Sequence, residues 1–143
     1  MRLETLIPPA PSRTVEGRLL CLADPISFWG GVSPADGSLS DPRSTQHGES
    51  IAGTVLVIRE LRGSSSASAV LLELIYRQRA PCAIVLAAPD AILALGVLVA
   101  AEMAWETPGI FRLPAEMQAS LAGGARASLT AAGELELRSH DAR

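Results

Sequence analysis

The stretch Gly53 to Arg59 carries Thr54-Val55-Leu56-Val57-Ile58 without a polar break, and a run of serines opens a helical pattern soon after it. A strand that is apolar on both faces belongs in the middle of a sheet covered on both sides. The chain is therefore expected to be α/β, with strands joined by crossing helices. The helix that follows is expected over Ser64 to Arg79. It begins with residues of the preferred capping type, sets Ala67, Val70, Leu71, Leu74 and Gln78 along one face, and places Glu73 four residues before Arg77, the favourable order for a helix pair. Gly17 to Ala23 reads as a strand with both faces buried, and Ala83 to Ala87 as a second buried strand. Asp90 to Leu95 reads as a short helical turn leading to a third strand over Val97 to Ala101. Pro114 to Leu121 is expected to be a short helix with Pro114 in its first turn. At the end, Leu135 and Leu137 alternate with Glu134, Glu136 and Arg138, and Ala131-Ala132-Gly133 turns the chain back from Ala127 to Leu129, which predicts a terminal hairpin. Crossovers mixed with hairpins point to a compact mixed-sheet sandwich or barrel with short helices.

Residues 1–13 contain Pro8, Pro9 and Pro11, which forbid a helix interior, so they are expected to form an extended, solvated arm able to lie on a partner. Residues 14–143 are expected to form one domain. Within it, Asp24 to Ser50 is rich in Gly, Pro, Ser and Asp, yet it is studded with Ile26, Phe28, Trp29, Val32 and Leu39. It reads as a long ordered loop, with Pro34-Ala35-Asp36-Gly37 as the tight turn of a small hairpin. Ordered connections longer than about 12–15 residues are usually functional.

Composition removes several classes of function. The chain has 143 residues, 12 basic residues that are all Arg, 15 acidic ones and a net charge of −3, with no basic block and only 3% aromatic residues. Neither phosphate neutralisation nor base stacking is provided for, so nucleic acid is not an expected partner. Cys21 and Cys82 lie in apolar runs with no CxxC, which excludes a zinc finger or a secreted disulfide knot, and no second His or Cys lies at metal-ligand spacing. The N-terminal segment lacks an apolar signal core, so a cytoplasmic location is expected. Cys82 to Ala101 approaches the length of a membrane span, but Pro89-Asp90 falls near its middle, where an ionised Asp costs about 2.5–3.5 kcal/mol on insertion scales. It reads as soluble core.

The chemistry is concentrated in Arg62-Gly63-Ser64-Ser65-Ser66, between the strongest strand and the strongest helix. Backbone N–H groups at a helix start carry an effective charge of about +0.5 and hold carboxylates or phosphates, while Gly63 lets a ligand approach the backbone. The same field, with Arg62, would stabilise a serine alkoxide, making Ser64 a candidate base. The alternative is that Ser64 to Ser66 only cap the helix and Arg62 is a solvated loop residue. His47, in Gln46-His47-Gly48-Glu49-Ser50, is either a proton shuttle or a surface histidine. Phe28-Trp29-Gly30-Gly31 either walls a pocket or interface or packs the loop onto the core.

Taken together, the segments Asp24-Pro25-Ile26-Ser27-Phe28-Trp29-Gly30-Gly31-Val32, Asp41-Pro42-Arg43, Gln46-His47-Gly48-Glu49-Ser50-Ile51-Ala52-Gly53 and Arg62-Gly63-Ser64-Ser65-Ser66 resemble the small subunit of aconitase X. The resemblance continues through Ala80-Pro81 and Asp90-Ala91-Ile92-Leu93-Ala94-Leu95-Gly96 and spans Glu16 to Ala101. It implies a swivelling β/β/α domain, the counterpart of the mobile domain of aconitases. In those enzymes a Gly-Ser-Ser loop at a helix start brings a serine base to substrate held on the large partner, and the matching serine is Ser64. Gly63, Ser65 and Ser66 would line the substrate. Aconitase proper has arginine where Ser66 stands, so carboxylate binding is assigned to Arg62 instead. A histidine-proline pair common in the family after the Asp-Pro-Arg segment is replaced by Ser44-Thr45, and no role passes to His47 on that ground.

The resemblance further implies a two-chain hydro-lyase acting on a small hydroxylated carboxylate. An iron or iron-sulfur centre would be held by cysteines of a large catalytic subunit, with none bound by this chain alone. Bacterial members resemble cis-3-hydroxy-L-proline dehydratases, which form 1-pyrroline-2-carboxylate, and archaeal ones act on mevalonate 5-phosphate. The exclusive use of Arg favours the bacterial substrate. Two other classes stand beside this reading: a non-catalytic anion-binding module and a purely structural subunit.

Overall fold

The computed structural model describes residues 1–139. Its strands are β1 (Glu4–Ile7), β2 (Val15–Cys21), β3 (Val55–Ile58), β4 (Ala83–Leu86), β5 (Gly109–Arg112), β6 (Arg126–Leu129) and β7 (Leu135–Arg138). Its helices are α1 (Phe28–Gly31), α2 (Ala67–Tyr76), α3 (Ala91–Glu102) and α4 (Ala115–Gln118). One mixed sheet runs in the order β1-β5-β4-β3-β2-β6-β7. The four central strands β2, β3, β4 and β5 are parallel, while β1, β6 and β7 are antiparallel to their neighbours.

β2 changes partner along its length. Val15 to Arg18 pair with β6 and Leu19 to Cys21 pair with β3. The sheet curls there, and its two edges approach each other: Leu3 N donates to Gly133 O at 2.8 Å and Leu135 N donates to Met1 O at 2.8 Å. The resulting half-barrel separates two cores. Val55 and Val57 point inward with Leu19, Val85, Phe111 and Leu129, and Leu56 and Ile58 point outward beneath α2 and α3 with Leu71, Leu74, Leu93 and Phe28. Both faces of β3 are buried, as its apolar run required.

Three expectations are corrected. Residues 1–13 are extended, but they do not stand off as a solvated arm: Glu4 to Ile7 pair with β5 and Leu3 is buried, because its side chain fills the barrel interior. β2 is not buried on both faces throughout, since Glu16 and Arg18 face solvent. The helical turn and third strand expected over Asp90–Leu95 and Val97–Ala101 are one helix, α3. Asp90 Oδ1 caps it by accepting from the amides of Ile92 and Leu93 at 3.1 and 2.9 Å. Gly96 lets α3 lie against α2 so closely that a Cβ there would stand 3.0 Å from Ser68 O. Tertiary packing thus overrides the strand preference of Val97 and Val99. The third parallel strand is instead β5. α4 and the β6–β7 hairpin form where they were expected, and the turn at Pro34–Gly37 is closed by Ser33 N donating to Ser38 O at 2.8 Å. The expected domain of residues 14–143 ends in residues 140–143, outside the described residues.

Candidate functional site at the carboxyl edge of the parallel strands

In α/β sheets ligands bind outside the carboxyl ends of the parallel strands. At that edge the β2 exit carries Asp24 and Phe28, and the β3 exit carries Arg59, Arg62 and Ser64. These loops are laced together. Ile26 bridges Leu61, with Ile26 N donating to Glu60 O at 3.1 Å and Arg62 N donating to Ile26 O at 2.7 Å. Gln46 splices the 41–50 segment onto the end of β2: its Oε1 accepts from Ala23 N at 2.9 Å and its Nε2 donates to Cys21 O at 3.0 Å. Asp24 accepts from Thr45 N and Oγ1 at 2.9 and 2.8 Å, and these hydrogen bonds hold its carboxyl below the usual range. Asp41 accepts from the side chain of Arg43 at 3.2 Å and from its amide at 2.9 Å. The Arg43 guanidinium lowers the Asp41 pKa most, and the field of Arg62 adds to it.

Ser64 is half-buried. Its Oγ accepts from Ser66 N at 3.3 Å and its carbonyl accepts from Ala67 N at 3.1 Å. Ser66, not Ser64, is the N-cap of α2, and it makes no side-chain capping bond. The serine run therefore enters the helix through the Ser64 side chain, and α2 starts later than expected. Gly63 is exposed with open space where a Cβ would stand, and the amides of Gly63, Ser64 and Ser65 have no protein acceptor among the described residues. Ser65 is exposed and Ser66 half-buried. Arg62 is exposed, and no carboxylate lies within ion-pair distance of it among the described residues. The loop thus brings together a hydroxyl, unpaired amides and an unpaired cation.

Other expected residues separate. Phe28 is fully buried in the outer core, whereas Trp29 is 63% exposed. A Cβ added at Gly31 would stand 3.4 Å from the Ile26 side chain, and Gly30 turns the chain with φ of +80°. His47 is exposed in a turn closed by its amide donating to Ser44 O at 3.2 Å. Gln46, Arg59 and Gln118 escaped the sequence reading. Gln118 is buried, and its Nε2 ties Ile58 O at 3.1 Å to Leu113 O at 2.9 Å, clamping the ends of β3 and β5. Nothing in sequence spacing marks the two glutamines, because their partners are backbone atoms at the ends of distant strands.

Open clefts of about 260 and 250 Å³ lie along this edge, below the span of about 300–1,000 Å³ usual for ligand pockets. No group of three His, Cys, Asp or Glu is placed to hold a metal ion among the described residues. Burial raises the Cys21 thiol and pushes the Cys82 thiol up to about 11, so neither is poised as a thiolate ligand. Among the described residues, the side chains do not fit an iron centre.

The sequence profile of the aconitase X swivel domain matches residues 9–137. The chain belongs to the aconitase X swivel domain family. Among its relatives, the cis-3-hydroxy-L-proline dehydratase of Pseudomonas aeruginosa is 46% identical over 90 residues, covering 63% of this chain and 16% of that protein. The phosphomevalonate dehydratase small subunit of Pyrococcus abyssi is 39% identical over 85 residues, covering 59% of this chain and 65% of that one. The chain therefore spans less than two thirds of the curated relatives it matches. Among solved structures, aconitase X of Thermococcus kodakaraensis in its holo-form superposes with a TM-score of 0.79 at 26% identity, covering 97% of this chain and 99% of that one. The solution structure of a UPF0107 protein gives a TM-score of 0.76 at 27% identity over 93% of this chain and 97% of that one. The mixed half-barrel with short helices is the fold of the aconitase X swivel domain, as the motifs implied. Among the described residues, no helix is long and apolar enough to cross a membrane.

Proposed function

We propose that this swivel domain is the small subunit of a two-chain aconitase X-type dehydratase, and that Ser64 is its base. The observation that carries the reading is the Ser64 oxygen itself, half-buried beside unpaired amides and the unpaired Arg62. Serine is too weak an acid to serve as a base unless preplaced donors meet the alkoxide. The Ser66 amide at 3.3 Å is one such donor, and contacts of this kind shorten once substrate and partner close the site. The Ser64 alkoxide takes the proton α to the substrate carboxylate, and the C–H electron pair forms the new double bond as the β-hydroxyl departs with the C–O pair as hydroxide, which takes a proton from solvent and leaves as water while Ser64 later returns its proton to solvent. Arg62 binds the carboxylate, with Gly63, Ser65 and Ser66 lining it. An iron or iron-sulfur centre on the large subunit would act as Lewis acid toward the hydroxyl.

The two clefts at this edge that flank Arg59 are too small to enclose a substrate, which favours a site completed by a large subunit. Exposed Trp29 stands at the same edge as a contact for that partner. Identity to the Pseudomonas dehydratase favours cis-3-hydroxy-L-proline as substrate, and the archaeal relatives make mevalonate 5-phosphate the second reading. The test is co-purification with a large subunit encoded beside it, followed by parallel measurement of water loss from both compounds. Turnover of cis-3-hydroxy-L-proline is expected. A stable complex that dehydrates neither would overturn the assignment.

A further inference from the structure

Resting on that reading, we infer that Arg59 is a specificity-determining residue, the cation of a second anion subsite at the mouth of the half-barrel. β3 runs straight into it. Arg59 lines both carboxyl-edge clefts, the one of about 260 Å³ toward the β4 exit and the one of about 250 Å³ toward the β2 exit. The first also carries Glu60 and Asp90, although Asp90 is committed to the α3 cap. The second is walled by Cys21, Val57, Gln118 and Leu121, and Arg59 is its one charged side chain.

That second cleft has a defined electrostatic sign. The Cys21 thiol is held neutral by burial, and the Gln118 amide is spent clamping Ile58 O and Leu113 O. A single guanidinium remains, exposed and without an ion-pair partner among the described residues, while Arg43 at the same edge is engaged by Asp41. Mouths of β-barrels and carboxyl edges of parallel strands are both preferred ligand sites. A planar guanidinium offers paired donors that match a carboxylate or a phosphate. Arg59 also belongs to the same loop as Ser64. Arg62 serves the carboxylate next to the reacting carbon, and Arg59 then receives a second anionic group of the substrate, which mevalonate 5-phosphate carries and cis-3-hydroxy-L-proline does not.

The test has two arms. In the reconstituted complex, Arg59→Gln is expected to raise the KM of mevalonate 5-phosphate, or its Ki where it is not turned over, about tenfold and to leave the kcat and KM of cis-3-hydroxy-L-proline within about twofold, because a charge-assisted contact kept equally in ground and transition states moves binding alone. Arg59→Lys recovers part of the loss, and Arg77→Gln, at the opposite end of the sheet where it pairs with Glu73, is a neutral control. In the isolated full chain, titration with inorganic phosphate should shift the Arg59 side-chain and Cys21–Ala23 amide NMR signals saturably, and Arg59→Gln should abolish this. An unmoved constant for mevalonate 5-phosphate in an active complex overturns the proposal, as does weaker subunit association with that constant unchanged, which would pair Arg59 with a carboxylate of the partner. If the wild-type complex dehydrates neither compound, the functional reading fails by itself. The titration then decides the cleft, with a saturable shift supporting the anion subsite and its absence overturning it.

Discussion

Replacing Gly133 with alanine tests how the half-barrel closes. Gly133 has φ of +100°, and a Cβ there would stand 2.1 Å from Leu3 O and 3.1 Å from Leu3 C. Backbone, not a movable side chain, occupies the space. A left-handed conformation costs an L residue about 1–2 kcal/mol. Relieving the clash means parting the two edges, which sacrifices the Leu3 N to Gly133 O and Leu135 N to Met1 O bonds, each about 1 kcal/mol net. Exposure of Leu3, now 3% accessible, adds to the loss. The expected destabilisation is about 3–5 kcal/mol, which for a domain this size lowers Tm by roughly 10–15 °C. Circular dichroism melts measure it, and hydrogen exchange at Leu3 and Leu135 locates it. Gly63→Ala, placed in open space, is the control. A Tm within about 2 °C of wild type, with Leu3 still protected, would refute the closure.

Phe28→Ala should destabilise the fold by about 3–5 kcal/mol, because the ring is wholly buried, whereas Trp29→Ala should leave the melt within about 0.5 kcal/mol and weaken association with the large subunit. Equal melts for the two variants would contradict that division. Cys82, whose thiol is pushed up to about 11, should react with iodoacetamide at pH 8 far more slowly than in denaturant. The folded chain holds that proton where the unfolded chain has released it. Stability is therefore full below the ordinary thiol range and falls as pH rises toward 11, a trend that Cys82→Ala should flatten in pH-dependent melts.

The local patterns that were legible are those with their own physical signature. Val55 to Ile58 is apolar at every position, and the β6–β7 hairpin alternates cleanly, so each declares its environment. α3 does not. It is apolar nearly all round, and what makes it a helix is the Asp90 cap together with the fit of Gly96 against Ser68. β1 hides beside the prolines that follow it, and its partners Ile110 to Arg112 lie far along the chain. The same distinction governs the site. The Arg62 to Ser66 loop is visible because glycine and serines at a helix start carry a meaning of their own. Gln46 and Gln118 act on carbonyls and amides of remote strands, and Arg59 becomes distinctive only when the surrounding cleft leaves it the one charge.

Turnover of Ser64→Ala in the complex with the large subunit addresses the mechanism most directly. Losing a general base typically reduces rate by about 10²–10⁴-fold. The account predicts a loss of that order, with wild-type assembly and an unchanged melt for the small chain. Wild-type turnover by Ser64→Ala would contradict it and leave the serine as no more than the entry to α2.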